Sequence, residues 1–366
     1  THRPIATEGK IPILYPMQKI LWLAPMDGIT NCSYRTITQE LFEKNNSAPD
    51  RVLWLWTEFM NVEGFAREPG KLIHHIMKTD FEKNTIAQIY GSDENDLLEA
   101  AKFIDQGMLD MAGNRQFFAG IELNIGCPSP KVMSCGGGAG VMRDRDRTLQ
   151  IIKNISSNIH LPFSIKTRTG LNEHDRHLQK KFILAAAPYC KRIVIHGRTY
   201  KQSHTGNVDW DFIHEINKEL GETCVVIGNG WIRTYEQAIE ILGNETSGGL
   251  DGVMLWQAAL WRPWIFTGNA PILEERYATI VRHAQMMIIL YDYYFARVDQ
   301  WRSFILPTYD WLTNEIRIFD ASKYDHEKTL IEYRKYIFNY ISALPWNRDL
   351  KVQLAHKKKY DEMITF

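Results

Sequence analysis

The strongest constraint on this chain is a repeat of short apolar runs, each closing on polar residues. Eight runs rich in β-branched and aromatic side chains are separated by stretches of helical character. In order they are ILWLAPM from Ile20, RVLWLWTE from Arg51, TIAQIYG from Thr85 and GIELNIG from Gly120, then PFSIKTR from Pro162, RIVIHGR from Arg192, CVVIGNG from Cys224 and GVMLWQA from Gly252. Near-continuous apolar runs of this length suit parallel strands buried on both faces. Between them, Ser92 stands where a helix cap is needed ahead of Leu97, Leu98, Ala101 and Ile104, and EQAIEIL (Glu236 to Leu242) gives a second helical stretch.

Eight strand–helix units in about 250 residues predict an α/β fold, the (β/α)8 TIM barrel, with a doubly wound sheet as the alternative. The run ends favour the barrel. They carry Pro25 and Met26, Glu58, Gln88, Asn124 with Cys127, Lys166 with Arg168, His196, and Asn229 with Gly230. A barrel gathers all these ends at one mouth, where barrel enzymes keep their chemistry. Beyond Asn269 the sequence becomes helical and aromatic-rich, punctuated by Pro271, Pro307 and Pro345. The expected organisation is therefore a barrel domain over 1–270 and an all-helical domain over 271–366.

Lys+Arg and Asp+Glu balance at 43 each, so net charge does not mark the chain as a nucleic-acid binder, although a local basic groove is compatible with that balance. No apolar run reaches the roughly 18–20 residues of a membrane span, and the opening THRPIATEGKIP has no apolar export core. Five scattered cysteines are not a disulfide framework. The expectation is a cytoplasmic, monomeric protein without a membrane partner. Cys127 and Cys135 lack the companions of a zinc clip, so no metal is expected.

The segments LAPMDGITNCSYR, TEFM, AQIYGS, ELNIGCPSPKV, GGGAGVM, SIKTRTG, VIHGRTYKQ and IGNG occur in this order. Together they resemble the tRNA-dihydrouridine synthases, FMN-dependent barrels with a helical C-terminal domain. TEF at the second run resembles the branch acting on uridine 16 of the D-loop. The resemblance implies reduction of uridine to 5,6-dihydrouridine in tRNA, with hydride from reduced FMN, electrons from NADPH and a proton from a cysteine. By matching motifs, Cys127 falls at the proton donor and Asn124 beside the target base. Pro25, Met26, Asp27, Gln88, Lys166, His196, Asn229 and Gly230 fall on the flavin side. Glu58, Arg168, His204 and Arg297 fall on the RNA side, with Arg302, Arg317, Arg334 and Lys335 as further tail bases.

A thiol suits the acid role, since it stays protonated at neutral pH yet can release its proton to an anionic ring. Three positions depart from the family pattern. Trp231 stands where an acidic residue follows NG, His204 where a tyrosine is usual, and Trp256-Gln257-Ala258 where a glycine–arginine turn holds the FMN phosphate. Two other readings share these residues: a catalytically degenerate RNA-binding paralogue, and another FMN-barrel oxidoreductase.

Overall fold

The computed structural model describes residues 19–45, 51–134, 136–243, 249–260, 262–324, 327–341 and 347–364. Eight strands close into one parallel barrel. They are β1 (Lys19–Leu23), β2 (Arg51–Asn61), β3 (Thr85–Tyr90), β4 (Gly120–Asn124), β5 (Phe163–Arg168), β6 (Arg192–His196), β7 (Val225–Asn229) and β8 (Gly252–Leu255). Each pairs with its sequence neighbours, and β1 closes on β8 from Leu21–Val253 to Leu23–Leu255. The barrel expectation holds and the doubly wound sheet does not, because no barrel strand is left with a free edge.

The two faces of each strand are both buried but differ in partner. Leu21, Leu23, Leu55, Ile89, Ile121, Leu123, Ile193 and Leu255 join the core shared with the helices. Trp22, Ala24, Trp56, Ile86, Val194, Ile227 and Met254 form a second cluster at the alternating positions that fill the barrel. Trp22 lies 4.8 Å from Trp54 and 4.9 Å from Trp56, ring centre to ring centre. Gly252 makes room for this plug, since a Cβ there would stand 2.1 Å from Trp22 Nε1. Toward the carboxyl ends the inward positions turn polar, starting with Gln88, Glu122 and Lys166.

The helices fall where the sequence predicts them, with one change of cap. Helix Glu94–Asp105 is capped by Asp93, whose carboxylate accepts from the amides of Asn95 and Asp96 at 2.9 Å. Ser92 instead donates its amide to Glu63, at 2.5 Å. That competition between a local cap and a distant carboxylate is invisible in sequence. Leu97, Ala101 and Ile104 are buried, as their spacing requires.

After β8, a short turn (Pro263–Thr267) packs on helix Cys32–Asn45, and the long helix Leu273–Phe295 packs on both that helix and Glu327–Tyr340. The helical region also reaches the barrel mouth. Tyr336 donates its hydroxyl to the Ile29 carbonyl at 2.7 Å and accepts from Asn31 Nδ2 at 3.1 Å. Among the described residues, no helix is long and apolar enough to cross a membrane.

One buried ion pair holds the β1 exit. Arg35 Nε and Glu82 Oε2 are 2.6 Å apart and both side chains are fully buried. The guanidinium also donates to the carbonyls of Thr30 and Met77, at 2.5 and 2.6 Å. Removing one member of such a pair leaves an uncompensated buried charge. Arg35→Met is therefore expected to cost about 3–5 kcal/mol, read as a lower midpoint in urea denaturation. An unchanged midpoint would show that the pair contributes nothing.

Candidate active site

The loop after β4 is fixed from four directions. Asn124 Oδ1 accepts from the amides of Gly126 and Cys127, each at 3.0 Å. Arg168 Nε donates to the Gly126 carbonyl at 2.6 Å, and the Ala139 amide donates to the Cys127 carbonyl at 3.0 Å. Gly138 takes φ +56°, and a Cβ there would lie 2.7 Å from that same carbonyl. Here the glycine run lets one loop fold onto another. Cys135 lies outside the described residues.

The Cys127 side chain is half-buried, and burial pushes its thiol up, opposed by the Ser129 amide and the charges of Lys166 and Arg168. Beside it, Asn124 Nδ2 donates to Gln88 Oε1 at 3.0 Å, and Gln88 Nε2 donates to Glu122 Oε1 at 2.5 Å. Burial raises the Glu122 carboxyl and lowers the Lys166 ammonium, and each one's charge pulls the other back. No hydrogen bond from the Lys166 amine to another described residue is found. It stands at the top of the barrel as a cation available to a ligand.

On the far side of the mouth, His196 is buried and kept neutral, first by desolvation and then by the positive charges of Arg168 and Lys166. Its ring stacks at 6.2 Å on His204, which lies 4.6 Å from the Trp256 indole. Asn229 Nδ2 donates to the Met254 carbonyl at 2.8 Å, and Gly230 follows at φ +142°. Trp256 packs on the barrel-filling cluster, and Gln257 is half-buried behind it. Trp231 is 43% exposed at a left-handed φ of 52°, with Arg198 and Arg233 over its ring at 4.9 and 4.1 Å. Trp231 and Arg198 border a cavity of about 730 Å³ between the β6 and β7 loops.

At the β1 and β2 exits, Pro25 is half-buried and Met26 buried, with the Met26 amide bonded to Thr30 Oγ1 at 3.0 Å. Asp27 is exposed, Glu58 buried, and one donor atom each of Asp27, Glu58 and His75 lie within 4.8 Å of one another. That mixed oxygen–nitrogen set could hold a cation. Glu58 sits where the β2–β3 register shifts, between Trp56 and Phe59, and such irregularities re-aim side chains. Burial raises its carboxyl.

Not every expected residue points into the mouth. Arg168 is spent on backbone carbonyls, those of Gly126, Thr199 and Ser203. Arg297 lies over the Tyr293 ring at 3.9 Å and donates to the Tyr293 carbonyl at 3.1 Å. Lys335 pairs with Glu332 at 2.9 Å. Sequence reasoning missed Glu122 and His75. The first had a visible signal: a carboxylate in the middle of a strand buried on both faces must be paired.

The sequence model described as dihydrouridine synthase (Dus) matches residues 22–364. A probable tRNA-dihydrouridine synthase of Mycobacterium leprae is 25% identical over 374 residues, covering 93% of this chain and 85% of its own. One from Rickettsia conorii is 29% identical over 283 residues, covering 74% and 78%. The tRNA-dihydrouridine synthase B of Pseudomonas putida is 28% identical over 288 residues, covering 76% and 79%.

Because burial lifts the Cys127 thiol above its ordinary value, it is protonated at neutral pH. Alkylation needs the thiolate. Iodoacetamide labelling of Cys127, followed by peptide mass spectrometry, is expected to rise about tenfold per pH unit from pH 7 to 9. A plateau below pH 8.5 would contradict a raised thiol.

Proposed function

The chain belongs to the dihydrouridine synthase family, and from that premise we propose that it reduces uridine to 5,6-dihydrouridine in tRNA, with FMN as the resident cofactor. The observation that carries this reading is the placement of the Cys127 thiol, held in a fixed loop beside Asn124 and close to the Lys166 charge at the barrel mouth. A D-loop base fits, since an unpaired base costs least to turn out into a pocket.

The residues fit the ring system of the cofactor. Lys166, whose amine makes no hydrogen bond to another described residue and lies beside the Glu122 charge, offers a charged donor that suits the anionic edge of a reduced flavin. Met26, Gln88, His196 and Asn229 lie toward the same carboxyl ends of the barrel strands. Gly230 permits close backbone approach, while the Arg233 guanidinium in the β7 loop beside it lies over the Trp231 ring. Bound and reduced, FMN supplies the hydride, and NADPH is the reductant expected to restore it. The protein's own work is positioning and proton delivery. Hydride arriving at uracil C6 leaves negative charge delocalised over C5 and the C4 carbonyl. Cys127 gives its proton to C5, completing the saturated C5–C6 bond and leaving a thiolate that the Lys166 and Arg168 charges favour. Asn124 orients the base.

Cys127→Ala is expected to lower dihydrouridine formation on tRNA by about 10²–10⁴-fold, while tRNA binding and any flavin spectrum persist. Undiminished turnover would remove Cys127 from the reaction. The strand-8 exit of Trp256 and Gln257 offers neither glycine nor base to a phosphate, so FMN and riboflavin are expected to bind within about tenfold of each other, or 1.4 kcal/mol, in fluorescence titrations. A much larger preference for FMN would show a phosphate grip. If neither flavin binds while tRNA does, the second reading, an RNA-binding paralogue favoured by Trp256 in the mouth, replaces the first.

A further inference from the structure

The orientation of every amide between the barrel interior and Cys127 is forced. The backbone N–H groups of Gly126 and Cys127 can only donate, so Asn124 must turn its oxygen toward them. Its Nδ2 then faces Gln88, which must present Oε1, at 3.0 Å. Gln88 Nε2 is left pointing inward and requires an acceptor, and at 2.5 Å it meets Glu122. The charge of Lys166 favours the carboxylate form of Glu122, which accepts and cannot reverse the chain. Glu122 and Gln88 are fully buried and Asn124 is 6% exposed, so water cannot readily substitute for a lost link.

We infer that Glu122 is a positioning residue for Cys127, acting through Gln88 and Asn124 to fix the polarity of the amides that hold the thiol-bearing loop. This rests on the reading of Cys127 as proton donor only for its catalytic consequence; the positioning itself does not depend on it. Exchanging the carboxylate for an amide removes one of the two ends that cannot flip and leaves the Gly126 and Cys127 amides as the other. In Glu122→Gln the amide at 122 can still accept from Gln88, but a second arrangement opens in which it donates to Gln88, Gln88 donates to Asn124, and Asn124 turns its own NH2 against two N–H donors. In that second arrangement the loop loses two hydrogen bonds although no residue in it has changed. Moving the acid one step along should restore it. In Glu122→Gln combined with Gln88→Glu, the carboxylate at position 88 accepts from both the amide at 122 and Asn124 Nδ2.

The test is amide hydrogen exchange of the full-length protein, read on peptides covering Gly126 and Cys127, with β6 and β7 peptides reporting global folding. Glu122→Gln is expected to speed exchange at Gly126 and Cys127 by at least tenfold, and the double exchange to return it to near the wild-type rate. Gln88→Met keeps the Glu122 charge beside Lys166 but cuts the chain, and should show the same loss. It also serves if Glu122→Gln does not fold. In steady state, the broken-chain variants should lower kcat with little change in KM for tRNA. Unchanged exchange in Gln88→Met overturns the inference, because Glu122 would then act by charge alone. Failure of the double exchange to restore protection overturns it as well. Faster exchange at Gly126 and Cys127 with full turnover would leave the positioning intact and sink the proton-donor reading instead.

Discussion

Closing eight strands into a ring puts every second side chain into one shared volume, and the rest of the molecule follows from how that volume is filled. Near its middle the filling is bulky and apolar, with Trp22, Trp56, Ile86 and Met254 leaving no passage. Toward the mouth it becomes polar, and low dielectric makes each polar group there costly unless partnered. The chain meets that cost with a mutually dependent set: Glu122 against Lys166, Gln88 against Glu122, Asn124 against Gln88. The same set borders the Cys127 thiol. Packing and chemistry are therefore not separable at this level of the barrel.

The thiol itself sits between opposing influences. Burial favours its neutral form, while Lys166 and Arg168 favour the anion left once a proton has gone. The role proposed for Cys127, an acid held at neutral pH and then relieved of its proton, needs both. Arg168 contributes in a second way, because its guanidinium is tied to three backbone carbonyls and cannot follow a departing ligand. Its charge is fixed in place, which costs no reorganisation when charge develops nearby.

Most of the fold was legible because eight apolar runs with polar ends admit few arrangements, and the observed strands fall on all eight. The candidate site was legible in its strand-end members, since a barrel brings such ends together. What escaped depended on partners far away in sequence. Ser92 yields its expected cap to Asp93 only because Glu63 claims its amide. His75 meets Glu58 and Asp27 through a short 3-10 turn with no distinctive pattern. The tilted contact of Trp256 with His204 is likewise a tertiary fact, though the departure at both positions was visible as an unusual residue in a familiar motif.

The contact of Tyr336 with Ile29 joins positions 307 apart, and it lies at the mouth rather than on a remote flank. During synthesis the barrel strands emerge long before this tyrosine does. The β1 exit then waits without its clamp, with the Ile29 carbonyl and the Asn31 amide still wet. Competence of the mouth is thereby tied to arrival of the helical region, so a chain interrupted after the barrel would possess the strands of an enzyme without its finished opening. The helical region is as much a late structural part of the site as an appendage to it.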